Sequence, residues 1–374
     1  MAVKSEMEFT PELYPQFPST LPGYDFPIAS LETISLKKLQ QDNETTEQHR
    51  LLEACKSQGF FYLDLTGCNA GQTIFRGAHQ VAQIAEKAFK LSEQEKLKYV
   101  YQAGDLFGYK RIGLTKVDEN STPDTAEFFS ISKDVICKTS GCSDALAVPY
   151  PEEIISAAPV LAEYMHTAHS VGLRILKILF EHLGVPGSAE AIASRHAFDE
   201  VAGDHVRMIR GPARRDAALP EIQTPAHTDF GSVTVLMNWL GGLQMWSEGS
   251  SSAAREAVPG KGAEEGKWLW VRPQANCAII NLGDAAGKFS NGVLQSGRHR
   301  VVPAPGEQGL WPRYSVVYFV RPNDECVLRT LEGSGIPARR DRGGEGAGDE
   351  DEDEEVTAKQ WIFRQAERLR NGKR

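Results

Sequence analysis

The sequence lacks several features that would narrow its class at once. Among its 374 residues no apolar run approaches membrane-spanning length, and the opening MAVKSEMEF has no apolar signal-peptide core, so a cytoplasmic location is the expectation. No cysteine pair has CxxC spacing. The six cysteines Cys55, Cys68, Cys137, Cys142, Cys277 and Cys326 therefore read as reduced, small apolar residues, with Cys137 and Cys142 the nearest to a pair. There is no excess of basic charge either: 41 Lys and Arg against 50 Asp and Glu give a net charge of -9, much of it from the seven consecutive acidic residues Asp349 to Glu355. That balance argues against nucleic acid as a partner.

What is present is a concentration of chemistry-bearing residues in the second half. In TPAHTDFGSVTVLMNW, Thr224 to Trp239, His227 and Asp229 stand at the mouth of a β-branched apolar run that reads as a buried strand. Two apart in extended chain, an imidazole and a carboxylate share a face and can reach one metal ion. His299, in NGVLQSGRHRVV, is the candidate third ligand. Two histidines and one carboxylate form the facial triad of non-haem Fe(II) oxygenases, with three positions left open. In RYSVVYFV, Arg313 and Ser315 are again two apart, and a guanidinium beside a hydroxyl suits a carboxylate.

Together these residues resemble the Fe(II)/2-oxoglutarate-dependent dioxygenase superfamily, in its isopenicillin N synthase-like branch. The ordered landmarks GYKRIG, DTAEFF, HTD, GLQ, NLGD and RYS carry that resemblance across roughly residues 20 to 335. It implies that His227, Asp229 and His299 bind Fe(II), and that Arg313 and Ser315 bind the distal carboxylate of the cosubstrate 2-oxoglutarate. No catalytic side chain is expected beyond these metal and cosubstrate ligands. O2 is the oxidant, ascorbate the reductant, and succinate and CO2 the co-products of oxidising a C–H bond in a small specialised metabolite. Hydroxylation, desaturation, epoxidation and ring closure share that first step. Two rivals remain: an oxidase or cyclase of the same family working without 2-oxoglutarate, and a binding protein that kept the fold without turnover. The second would be signalled by loss of a metal ligand, and all three candidates are present.

One departure stands out. Where the family reads RxNYYP, this chain has Arg207, Met208, Ile209, Arg210, Gly211 and Pro212, so Ile209 and Gly211 replace an Asn and a Tyr. Fewer cosubstrate hydrogen bonds, weaker 2-oxoglutarate binding or more room for substrate are the expected consequences.

The expected fold is mixed α/β with a mainly β core: a double-stranded β-helix, or jelly roll, with a helical N-terminal part and a C-terminal helix. Helical spacing runs over Thr45–Gln58, Gly71–Phe89, Pro151–His182 and Ser188–Arg195, and a capping box starts at Ser92. Short strands between Gly, Pro and Asn turns follow: His205–Ile209, Val233–Trp239, Trp268–Val271, Ala278–Leu282 and Tyr314–Val320. The domain reading is a flexible N-terminus (1–20), a helical region (21–199) and the oxygenase core (200–330). That core carries a Ser-, Gly- and Glu-rich insertion (247–266), and an acidic disordered loop (339–355) and a closing helix (356–374) follow it. Removing the insertion brings the spacing from Asp229 to His299 near that of the family. His166, His169 and His182 on the long helix read as ordinary helix residues, Asn281 and Asp284 as turn formers beneath the site, and Arg298 and Arg300 as facing away from His299. Oligomeric state is not legible.

Overall fold

In the computed structural model, residues 9–21, 25–101, 106–117, 122–141, 149–213, 222–248, 266–338 and 355–370 are described. The strands are β1 (Thr33–Ser35), β2 (Phe60–Asp64), β3 (Gly108–Lys110), β4 (Glu127–Ser132), β5 (His205–Gly211), β6 (Thr224–His227), β7 (Val233–Asn238), β8 (Leu243–Ser247), β9 (Lys267–Trp270), β10 (Cys277–Leu282), β11 (His299–Val301) and β12 (Arg313–Val320). They form an eight-stranded sheet in the order β1-β2-β10-β7-β12-β5-β4-β3 and a four-stranded sheet in the order β6-β11-β8-β9. The two sheets with flanking helices make the jelly-roll core that the strand pattern predicts.

Period-2 alternation divides the large sheet's faces. Val206, Met208, Val233, Val235, Ile280, Val316 and Tyr318 point into the main core with Ile74, Val81, Tyr164, Ala168, Ile175 and Leu179 of the helices Asn69–Lys90 and Ala158–His182. The opposite face turns Tyr62, Leu236, Ile279, Val317 and Phe319 toward Leu243 and Met245 of the small sheet, making a second, smaller apolar cluster. The space between the sheets therefore has a dry floor, and it holds the site.

Several expectations need adjusting. The expected strand Val233–Trp239 is β7, ending at Asn238, and an unanticipated strand precedes it: β6, Thr224–His227, pairs with β11 in the small sheet while β7 pairs with β10 and β12 in the large one. The pattern at Pro151–His182 is two helices, Glu152–Ile155 and Ala158–His182, because Pro159 has no N–H to donate and so marks a new first turn. Over residues 9–20 the segment read as a flexible N-terminus lies against the body: Phe9 is buried, edge-on to Trp239 and Tyr314, and Tyr14 packs on Trp311. The insertion is described only at its ends, where Ser247 pairs with Lys267, and most of the acidic loop also lies outside the described residues, as does Cys142. Among the described residues Cys55, Cys68, Cys137, Cys277 and Cys326 are free thiols, and no helix is long and apolar enough to cross a membrane.

Candidate active site

β6 ends at His227, and the chain then leaves the small sheet to start β7 in the large one, so Asp229 sits in the crossing. β11 lays His299 directly opposite His227 in antiparallel register. The two imidazoles face one another with ring centroids 4.2 Å apart, and His227 Nε2 is 3.8 Å from Asp229 Oδ1. One donor atom from each of His227, Asp229 and His299 lies within 4.8 Å of the others.

Hydrogen bonding prepares these donors for a cation. Nδ1 of His227 lies 2.9 Å from the Pro225 carbonyl and Nδ1 of His299 lies 2.9 Å from the Gly297 carbonyl. Each Nδ1 must then carry the proton, which leaves Nε2 with its lone pair toward the shared point. On Asp229, Oδ2 accepts from Thr234 Oγ1 at 2.6 Å and Asn281 Nδ2 at 2.7 Å, so Oδ1 is the oxygen left to bind. Burial pushes the Asp229 carboxyl up, but His299, His227, Asn281 and Thr234 together outweigh it and hold the group below the usual carboxylate range. Two neutral nitrogens and one anionic oxygen suit Fe(II) and leave room for exchangeable ligands. The donor set fits the metal.

The pocket extends from these residues between the sheets, and Arg313 and Ser315 of β12 line it. Arg313 is buried, donating from Nε to the Gly241 carbonyl at 2.7 Å and from Nη1 to Ser315 Oγ at 2.6 Å. Burial lowers its guanidinium to about 10, so it remains charged at neutral pH. Gly242 makes this anchorage possible: its φ is +111°, and a Cβ there would lie 3.2 Å from Arg313 Nε and 2.5 Å from the Val302 carbonyl oxygen.

Asn281 and Asp284 are not among the converging donors. Asn281 steadies Asp229, while Asp284 accepts from Thr228 and Ser296 and so ties down the crossing. Arg298 and Arg300 turn outward, Arg298 over Trp246 and Trp268 and Arg300 over Trp268 with its Nε on Gln244. The helix histidines do not face the pocket: His166 stacks on Phe198, His169 bonds Asp204 and the His196 carbonyl, and His182 bonds Gln48. At the departure from RxNYYP, Ile209 gives the pocket an apolar wall, whereas Gly211 pairs with Arg313 and leaves space for a side chain from elsewhere. Gln223 fills it, its Oε1 2.5 Å from where a Gly211 Cβ would stand, so a polar amide occupies the place that Gly211 leaves.

Sequence reasoning missed Thr234 and Gln223, and it treated Arg207 only as part of a motif. It also passed over Lys110 and Arg321, although Arg207, Lys110 and Arg321 all line the pocket. The signal for Arg321 was there: it continues the odd-numbered face of β12 beyond Arg313, Ser315, Val317 and Phe319.

A β core of two sheets with a His, Asp, His cluster between them defines the class of non-haem iron oxygenases. Residues 31–144 match the family described as non-haem dioxygenase in morphine synthesis N-terminal, and residues 203–322 the 2OG-Fe(II) oxygenase superfamily. A 2-oxoglutarate-dependent dioxygenase of Aspergillus fumigatus is 30% identical over 84% of this chain and 81% of its own length. The 2-oxoglutarate-dependent dioxygenase gloE of Glarea lozoyensis is 27% identical, covering 83% and 84%. A full-length Neurospora crassa protein in complex with alpha-KG shares the fold, with a TM-score of 0.66 at 20% identity over 90% of this chain and 95% of that one. The chain belongs to the Fe(II)/2-oxoglutarate-dependent dioxygenase superfamily. It is an oxidoreductase that uses Fe(II), 2-oxoglutarate and O2 to oxidise a small molecule.

Proposed function

We propose that His227, Asp229 and His299 hold the Fe(II), that Arg313 and Ser315 hold the distal carboxylate of 2-oxoglutarate, and that the substrate is a specialised metabolite oxidised at a C–H bond. The observation that carries this reading is the convergence of the three side chains: one donor atom from each lies within 4.8 Å of the others, while backbone carbonyls hold both Nδ1 atoms and Thr234 and Asn281 hold Asp229 Oδ2. When bound, the iron and 2-oxoglutarate supply oxygen activation coupled to decarboxylation to succinate and CO2.

The protein's own part is to place and shield. Thr234 and Asn281 fix the Asp229 rotamer, so the carboxylate presents one oxygen and not both. Ser315 Oγ accepts from Arg313, which frees the hydroxyl hydrogen to donate to a carboxylate lying against the guanidinium. Leu236, Leu243, Val301 and Val317 wall the space between these anchors and keep it apolar, which strengthens each polar contact made inside. The division into a helical region (21–199) and an oxygenase core (200–330) is supported by the two family matches, one falling within each. A cytoplasmic location is supported by the free thiols and is tested by fractionating cells that express the tagged chain.

The test is anaerobic. Fe(II) plus 2-oxoglutarate should give the visible metal-to-ligand charge-transfer band of a chelated 2-oxo acid, and His227→Ala, Asp229→Ala or His299→Ala should each remove it with the fold intact. No band in the wild-type protein, together with oxygen-dependent product formation when 2-oxoglutarate is rigorously absent, would replace this reading with an oxidase that holds the substrate's own carboxylate on Arg313.

A further inference from the structure

The pocket carries more positive charge than metal and cosubstrate use. Lys110 is paired with Asp124 and also donates to the Ala126 carbonyl. Arg313 is accounted for above. Arg207 and Arg321 have no such role.

Arg321 is 4% exposed, lines the pocket, and its Nε and Nη1 have no hydrogen-bond partner among the described residues. Leaving guanidinium hydrogens buried and unmatched is costly; the two nitrogens lie on different edges of the guanidinium, so an acceptor that reaches either edge from the pocket through Nη2 would offset part of that cost. Its side chain is threaded through a built slot. A Cβ at Gly203 would lie 3.0 Å from Arg321 Cδ and Nη1, and one at Gly231 would lie 2.9 Å from its Cγ, so the slot needs glycine on both sides. The nearest carboxylates are otherwise engaged. Asp204 accepts from the Arg321 backbone N–H at 2.6 Å, from Tyr318 and from His169, while Asp229 serves the triad. Burial, and next the like charge of Arg207, bring Arg321 down to about 10 against the pull of Asp204, Asp229 and Asp324, so it stays charged at neutral pH.

Arg207 approaches from the neighbouring strand, where it pairs with Val317 of β12. Its Nε donates to Ser130 Oγ at 2.9 Å, and its guanidinium lies over the rings of Phe128 (4.4 Å) and Phe319 (5.0 Å). The Phe319 ring also has Arg321 above it at 5.5 Å. Two arginines thus meet around one aromatic ring, and cations stand at both ends of the β12 pocket face: Arg313 opens the strand and Arg321 follows its last residue, Val320.

We propose that Arg321, with Arg207 beside it, is the specificity site for a carboxylate on the substrate, so that the enzyme selects acids with an apolar or aromatic body over neutral analogues. The inference rests on the assignment of 2-oxoglutarate to Arg313, because that assignment leaves the other end of the strand to the substrate. A planar carboxylate takes two parallel N–H bonds from one guanidinium, and Phe128 and Phe319 flank it with apolar surface for the body that follows.

The test uses the full chain under argon with Fe(II) and saturating 2-oxoglutarate, titrated calorimetrically with 3-phenylpropionate, 2-naphthoate and decanoate, each against its own carboxamide. At least one acid is expected to bind about tenfold or more tightly than its amide, a difference of about 1.4 kcal/mol. Arg321→Gln should erase that preference and leave the charge-transfer band unchanged, while Arg321→Lys should retain part of it. The inference is overturned if no acid outbinds its amide, if the preference survives in both Arg321→Gln and Arg207→Gln, or if 2-oxoglutarate displaces the acid, which would place it on Arg313. The wild-type comparison decides the matter even if a variant does not fold. Should the band fail to form, the cosubstrate assignment falls by itself. The acid and amide pairs, repeated with Fe(II) alone, then still support or overturn the role of Arg321.

Discussion

Asp229 shows how much of this site is set by residues that would touch neither metal nor cosubstrate. Its free Oδ1 is a consequence of the two bonds that occupy Oδ2, one from Thr234 on β7 and one from Asn281 on β10. Asn281→Ala removes one of them from a buried carboxylate, so Fe(II) affinity should fall about 10- to 100-fold with little change in the fold, as outer-shell partners of metal ligands generally do. Titrating Fe(II) or Co(II) into the apoprotein measures this, and unchanged affinity would mean that Thr234 alone holds the rotamer. Arg313→Lys tests the other anchor. A lysine keeps the charge but loses the Nε bond to Gly241 and the planar fork, so the 2-oxoglutarate concentration needed for half of the charge-transfer band should rise at least about tenfold, and Ser315→Ala should raise it less. Equal shifts in the two variants would show that charge alone matters. At this scale His227 with Asp229 and Arg313 with Ser315 were legible as pairs two apart in the sequence, although only the second pair lies within one strand. Gln223 and Thr234 were not, since Gln223 acts across space from Gly211 and Thr234 looks like any β-branched strand residue.

At the scale of elements, the strands were legible to within a residue or two wherever apolar alternation ran six residues or more, as in β7, β10 and β12. The sheet to which a strand belongs was not. β6 was not read as a strand because nothing local records that the chain crosses from one sheet to the other between it and β7, and that crossing is what places Asp229 between the sheets. The long helix was misread for a local reason that can be named: apolar spacing continues through Pro159, but the backbone hydrogen bonding does not. The β8–β9 hairpin supports a prediction. Trp246 pairs with Trp268 and Ser247 with Lys267, so the register is set by the strands themselves and not by the residues that join them. Replacing residues 249–265 with a short Gly-containing turn should leave the thermal midpoint within a few degrees, because loop closure changes by only about 0.6 kcal/mol per doubling of length. A large loss of stability would show that the removed residues pack as part of the body. Intact folding with altered choice among substrates would instead make them part of the pocket's mouth.

For the whole molecule, pH dependence follows from how the polar centre beneath the large sheet is buried. His196 is fully buried, with Nδ1 3.0 Å from the Ile192 carbonyl oxygen and Nε2 2.8 Å from Ser232 Oγ, so it links the helix Ser188–Arg195 to the start of β7. Burial lowers its pKa to about 4. The Ile192 carbonyl and Asp204 pull the other way, and His169 and Arg195 add to the lowering. His205, stacked on Phe319, is lowered well below its ordinary value by burial and then by Arg321 and Arg207. Each group takes up a proton in the unfolded chain near pH 6.5 that it refuses in the folded one. Their contribution is therefore fully present above about pH 6.5 and is lost as the pH falls toward the folded value, at about 1.4 kcal/mol per pH unit for each group. Asp204 works in the same sense at lower pH. Burial raises its carboxyl, but the His169 hydrogen bond and charge, Lys133 and the Arg321 backbone N–H bring it below the usual range, so its share is lost only as the pH falls below about 4. The urea midpoint should thus drop progressively from pH 6.5 to 4.5. His196→Gln, which can keep one of the two hydrogen bonds without titrating, should be less stable at pH 7.5 and show a shallower decline. Parallel declines in the two proteins would mean that His196 binds its proton equally well in the folded and unfolded chain, and would leave the acid sensitivity in this range to His205.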